Sequence, residues 1–169
     1  LLLKTSNSAE TQCGSWAVFK LCRYLITFTG NARFGDWIEL MLMNGIGADI
    51  PMSDTGCVFY YADYNLKGGI KTLYPAPWPC CAGTRPMAIA SYPGMIYFKD
   101  DNGIYVNLYV PSTVSWKFKQ TNITLKQVTE FPETNGSEFD ITSDTPVQLT
   151  INLRVPGWVT GKVTVLINN

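Results

Sequence analysis

The hydrophobic period of this chain changes along its length, and that change limits what it can fold into. In the first half, Val18, Leu21, Cys22, Leu25 and Phe28 recur at three- and four-residue spacing, the stripe of an amphipathic helix. Gly30 is a stop signal, and Asn31 can cap a second helix, in which Phe34, Trp37, Ile38, Met41 and Leu42 repeat the spacing until Asn44-Gly-Ile-Gly. Two helices joined by so short a link form a nearly antiparallel hairpin. After Met95 the pattern is β throughout. Ile104, Val106, Leu108 and Val110 alternate with Tyr105, Asn107 and Tyr109, and Leu149, Ile151, Leu153 and Val155 alternate with polar neighbours. Asp100-Asp-Asn-Gly103 is a hairpin turn, and strands at this spacing predict an antiparallel β-sandwich. The expected class is therefore α + β, with helices over residues 1–94 and a sandwich over residues 95–169.

Between these regions, Cys57–Asp63 and Ile70–Tyr74 read as two short strands around Asn65-Leu-Lys-Gly-Gly69. The Pro-rich stretch Pro75 to Pro79 leads stiffly to Cys80-Cys81, after which a short helix is expected up to Pro93-Gly94. Pro156-Gly157-Trp158 breaks the last complete strand. Lys162–Asn169 reads as a further, unfinished one. With no starting Met and that last strand cut short, the chain reads as an internal piece of a longer protein.

Composition excludes several functions. Lys+Arg and Asp+Glu are both 13 in 169 residues, so there is no basic surface for nucleic acid. No run approaches the roughly 20 apolar residues that cross a bilayer. Neither nucleic acid nor membrane is an expected partner. Aromatic residues make up 13% of the chain, which suits core packing or stacking against sugar rings. Two sequons, Asn122-Ile-Thr124 and Asn135-Gly-Ser137, matter only in a secretory pathway that glycosylates, and the compartment stays open.

The chemistry-bearing residues are the cysteines. The chain has five, without the spacing of a disulfide framework, and it has no histidine. Cys80 and Cys81 are adjacent, and a bridge between neighbours closes a strained eight-membered ring. With Cys13 and Glu10, in Glu10-Thr-Gln-Cys13, they offer three thiols and a carboxylate, a donor set that suits zinc. Glu10 and Cys13 would share one face of a helix at that spacing; Glu10 would alternatively serve as a charge at the helix start. Cys22 lies on the apolar stripe and Cys57 begins a strand, so both read as core. Redox chemistry at the vicinal pair lacks the usual Cys-x-x-Cys spacing.

The order of motifs carries a resemblance. Glu10-Thr-Gln-Cys-Gly-Ser-Trp-Ala17, Tyr24–Asp36, Asn44-Gly-Ile-Gly47, Phe59-Tyr-Tyr-Ala-Asp63, Pro77-Trp-Pro-Cys-Cys81, Ile96–Tyr109 and Leu153-Arg-Val-Pro-Gly-Trp158 follow one another. Together they closely resemble glycoside hydrolase family 127, the β-L-arabinofuranosidase-like proteins. The resemblance implies the last helices of an (α/α)6 barrel followed by a β-sandwich. It also implies a retaining glycosidase whose nucleophile is a zinc-bound cysteine, in place of the usual second carboxylate. Carried over, Cys80 matches the nucleophile, Cys81 and Cys13 the further thiolate ligands, Glu10 the carboxylate ligand, and Tyr61 a substrate-contacting tyrosine. Beside the cysteines, Trp78 can stack on a sugar face or anchor its own loop. This chain spaces Glu10 and Cys13 three apart where the family pattern has two. The acid/base glutamate and sugar-binding histidines are implied to lie upstream, in the missing N-terminal barrel residues of the same protein. The expected partner is a carbohydrate substrate. A rival reading is a non-catalytic carbohydrate-binding or scaffolding homologue with a structural zinc or plain thiol site.

Overall fold

The structure is a computed structural model that describes residues 9–47, 54, 59–63, 71–73 and 79–168; for residues 9–12, 59–63, 71–73 and 79 only the backbone is described. It divides into two compact units, Leu1–Pro93 and Gly94–Asn169.

The first unit is built on helix α1 (Gln12–Thr29), which follows strand β1 (Ala9–Thr11) without a break. Gly30 ends α1 with φ +63°, a conformation that side chains disfavour, and its N–H donates to Ile26 O at 2.8 Å. Asn31 then caps α2 (Ala32–Leu40), its Oδ1 accepting from the Arg33 N–H at 3.0 Å. A π-helical turn, Met41–Ile46, continues α2 and closes at Gly47, whose N–H reaches Leu42 O at 2.7 Å. A Cβ on Gly47 would lie 2.6 Å from that same oxygen, so the tight closure requires glycine.

α1 packs against α2, the π-helical turn and α3 (Pro79–Ser91). The core they share contains Trp16, Phe19, Cys22, Ile38, Ile46, Cys81 and Ala88. This corrects the expected α1 stripe. Cys22 is buried and Val18 and Leu25 are half-buried, but Leu21 is 56% and Phe28 81% exposed, while Phe19 is wholly enclosed. The buried face is rotated relative to the stripe because α1 packs against α2, the π-helical turn and α3 together, and such long-range partners leave no periodic mark in α1. Helix α3 also begins earlier than expected, so both Cys80 and Cys81 lie inside its first turn rather than ahead of it.

Strands β2 (Phe59–Asp63) and β3 (Lys71–Leu73) pair antiparallel, as expected, and β1 joins them as a third strand. The register sets Glu10 opposite Ala62 and Thr11 opposite Tyr61. Glu10 therefore belongs to a strand, and the argument that it shares a helical face with Cys13 does not hold. The expected turn at residues 65–69 and the Pro-rich stretch lie outside the described residues.

The second unit holds two three-stranded sheets. Strands β4 (Tyr97–Lys99) and β5 (Gly103–Val106) form the predicted hairpin. The Asp100 carboxylate ties its turn, accepting from the Asn102 and Gly103 N–H groups at 2.8 and 2.9 Å and from the Tyr105 hydroxyl at 2.7 Å. Those bonds hold the carboxyl below its ordinary range, the Tyr105 hydroxyl first. Strands β6 (Ser112–Phe118), β7 (Thr121–Thr129) and β8 (Ser137–Ser143) form an antiparallel meander.

The expectation of purely antiparallel pairing fails at β9 (Thr150–Leu153), which returns after the meander to lie parallel to β5. Gly103 permits this approach: a Cβ there would sit 1.9 Å from Thr150 O. The alternation from Ile104 to Val110 also stops being strand at Val106, because the N–H groups of Asn107 and Leu108 both turn to Ile96 O. Buried Asn107 donates through Nδ2 to Met95 O at 2.9 Å, and the buried Arg154 Nε donates to Asn107 O at 2.6 Å. The alternation beyond Leu153 is likewise inverted, with Arg154 buried and Val155 exposed. Gln127, from β7, donates to Val110 O at 2.8 Å and so fastens the meander to the segment after β5. Tyr109, Phe131, Phe139 and Trp158 cluster beside it, with Trp158 stacked on Phe131 at 5.8 Å. Residues 162–168, expected as a strand, belong to no element, and Val163, Val165, Leu166 and Ile167 are exposed.

Candidate metal centre

Two helix starts converge on one point of the first unit. Cys13 is the second residue of α1, Cys80 and Cys81 are the second and third of α3, and the two helices pack together. Their three Sγ atoms all lie within 4.8 Å of one another. Tetrahedral zinc with Zn–S bonds of about 2.3 Å needs sulfurs about 3.8 Å apart, so small rotamer adjustments fit the set to such an ion. Among the described residues this is the group of three or more donors that could hold a metal. The Cys13 backbone N–H bonds the Cys81 sulfur, and both helix starts present the positive ends of their dipoles, which favours anionic sulfur there.

The three cysteines are not equivalent. Cys81 is wholly buried, Cys13 half-buried and Cys80 exposed. Burial is the main cause that pushes the Cys81 thiol up to about 11, with the neighbouring Cys13 and Cys80 sulfurs adding to it. The Cys80 thiol is also raised above the ordinary 9.0, first by its hydrogen bond with Cys13 and then by desolvation, although a bond with Cys81 pulls the other way. Three sulfurs this close resist becoming three anions without a cation between them. A bound metal ion would offset that repulsion and take the place of the protons.

The structure thus brings Cys13, Cys80 and Cys81 together from segments far apart in sequence. It places the Tyr61 backbone opposite Thr11, two residues before Cys13. Glu10 sits one residue further back in β1, its carboxylate outside the described residues, as are Trp78 and Cys57. Cys22 lies in the α1 core, outside the cluster, its thiol raised by burial. Strand β1 itself went unread in the sequence, since three residues are too short to show an alternation.

Comparison with known proteins bears on what this cluster belongs to. Residues 103–169 match the family model described as Beta-L-arabinofuranosidase, GH127 middle domain. The non-reducing end beta-L-arabinofuranosidase of Bifidobacterium longum subsp. longum is 23% identical over 173 aligned residues, which take in 92% of this chain. In both comparisons the chain is similar to beta-L-arabinofuranosidases of glycoside hydrolase family 127. The crystal structure of a GH127 beta-L-arabinofuranosidase from Geobacillus stearothermophilus T6 superposes on 92% of it with a TM-score of 0.75 at 22% identity, a likeness of fold. A second GH127 beta-arabinofuranosidase structure covers 88% of the chain with a TM-score of 0.74 at 29% identity. The chain spans about a quarter of the length of these relatives: 26% of the Bifidobacterium protein, and 26% and 23% of the two solved chains. The thiol cluster lies in the first unit and the family-model match in the second. Among the described residues no helix is long and apolar enough to cross a membrane.

Proposed function

We propose that this chain is part of a retaining glycoside hydrolase that cleaves β-L-arabinofuranosides or related glycans, with Cys80 as nucleophile. The observation that carries the reading is the three-thiol cluster, within a chain that aligns over 92% of its length with a named beta-L-arabinofuranosidase. In this reading α1, α2 and α3 are the last helices of an (α/α)6 barrel, residues 1–94 close the catalytic domain, and residues 95–169 belong to a β-sandwich.

Cys13, Cys80 and Cys81 hold a zinc ion, with Glu10 as the fourth ligand. When bound, zinc keeps the sulfurs as thiolates at neutral pH and fixes them in place. The chain's own contribution is positional. Cys81 and Cys13, rooted in two packed helices, anchor the site. Cys80 is the exposed member, so its sulfur is the one a sugar can reach. Its thiolate attacks the anomeric carbon, an acid supplied from outside this chain protonates the departing oxygen, and water then hydrolyses the thioglycosyl bond with net retention. Tyr61 and Trp78 are proposed sugar contacts. The exposure of Cys80 supports this reading over a purely structural zinc site, in which the ligands close around the ion.

Zinc content and turnover test the proposal. The folded wild-type protein is expected to carry about one zinc per chain by mass spectrometry, reduced in Cys13→Ser and Cys80→Ser. In the full-length parent, Cys80→Ser is expected to abolish hydrolysis of an aryl β-L-arabinofuranoside while the melting curve stays cooperative. A Cys80→Ser parent that turns over at the wild-type rate refutes the nucleophile. A folded, zinc-free wild type refutes the metal.

A further inference from the structure

The same cluster has a chemistry of its own when no cation holds it. Cys13 and Cys80 belong to different helices, and their sulfurs lie within 4.8 Å. Cys80 is exposed, so a small oxidant reaches it first, whereas Cys81 is wholly enclosed. The two possible bridges from Cys80 differ sharply. One to Cys81 closes the strained ring of adjacent residues. One to Cys13 joins two helices that already pack together. Bridging needs the sulfurs about 2 Å apart, an approach that a χ1 change at exposed Cys80 can supply.

We propose that peroxide oxidises this centre to a Cys13–Cys80 disulfide, a reversible switch that removes two of its three thiol donors. The inference rests on the proposed zinc site for its consequence, loss of the metal, while the bridge itself rests on the sulfur geometry. The Cys80 thiolate attacks one oxygen of hydrogen peroxide; an S–O bond forms, the O–O bond breaks, and the expelled hydroxide takes up a proton to leave as water. The Cys13 thiolate then attacks the sulfenic sulfur; the S–S bond forms, the S–O bond breaks, and a second hydroxide leaves as water. Two thiols lose two electrons and two protons in all, and one peroxide becomes two waters. A dithiol reductant reverses the change.

The test exposes the protein, metal-free and zinc-loaded, to a few equivalents of hydrogen peroxide, then blocks remaining thiols with N-ethylmaleimide. Mass spectrometry of a non-reduced digest identifies the linkage, and a chromogenic chelator follows zinc. The expected product is a peptide pair joined through Cys13 and Cys80, formed equally in Cys81→Ser, with both thiols recovered after dithiothreitol. In the loaded protein, zinc release should keep step with the bridge. A Cys80–Cys81 or Cys13–Cys81 bridge as the main product overturns the proposal, as does Cys80 sulfinic acid beside an alkylated Cys13, or a full set of unreacted thiols. A bridge formed in a protein that never binds zinc upholds the disulfide and refutes the metal site. Stoichiometric zinc without the bridge does the reverse.

Discussion

At the proposed zinc site, lowering the pH sets protons against the metal for the same sulfurs, and the number of thiols that must lose a proton sets the slope of that competition. Cys80 and Cys81 both have thiols raised above 9.0, Cys81 to about 11. Throughout pH 6 to 8 both are therefore protonated in the metal-free chain, and each must release its proton to bind zinc. Two protons released for each ion bound make the dissociation constant rise about a hundredfold for each unit of pH lost, roughly 2.7 kcal/mol. Any proton from Cys13 steepens it further. Titrations against a chromogenic zinc chelator, corrected for the chelator's own protonation, measure the slope directly. A tenfold change per unit or less would mean that at most one of Cys80 and Cys81 gives up its proton to the metal, and the three-sulfur centre would be wrong. The metal-free chain should show a complementary trend at high pH. Folding keeps Cys81 protonated, so the stability this confers is complete below pH 9 and lost as pH climbs through about 11.

Two further substitutions test the frame around the site. Gly103→Ala forces a methyl to within 1.9 Å of Thr150 O, so the parallel β5–β9 pair must separate; a loss of about 3 kcal/mol in urea unfolding is expected, and one under about 1 kcal/mol would contradict that pairing. Asn31→Ala removes the α2 cap and should cost about 1 kcal/mol, whereas Asn31→Asp, which keeps an acceptor for the Arg33 N–H, should cost little; equal losses in the two would rule out the side-chain bond as the cause.

Local signals in the sequence were read well where local physics decides the outcome. Gly30 and Asn31 mark a helix end and a helix start because their effects depend on the neighbouring turn alone. Asp100 to Gly103 reads as a turn because its carboxylate bonds N–H groups two and three residues on. What escaped the sequence was set by partners distant in the chain. The buried face of α1, with Trp16 and Phe19 enclosed, is set by helices that pack on it from elsewhere in the chain. The parallel return of β9 depends on the missing Cβ of Gly103, a backbone contact that hydrophobic alternation cannot register. Arg154 is polar and yet buried, because its Nε satisfies the carbonyl left by Asn107 where β5 ends.

The candidate centre shows the same division in one place. The residue types that suit a soft metal are legible as types, since five cysteines, Cys13 and the Cys80-Cys81 pair among them, and no histidine leave few other donors. Their convergence is not, because the fold brings one start of α1 beside the start of another helix, α3, that follows a hairpin and a Pro-rich link. That assembly also explains why the cysteines differ. A residue in the first turn of a helix can face either the neighbouring helix or the solvent, and adjacent positions are about 100° apart around the axis. Cys81 therefore turns into the α1–α3 interface while Cys80, one residue earlier, turns out. Two neighbouring thiols on one helix start thus differ in setting: one is anchored in the core, and the other is open to solvent, the difference on which the proposed roles of Cys81 as anchor and Cys80 as nucleophile rest.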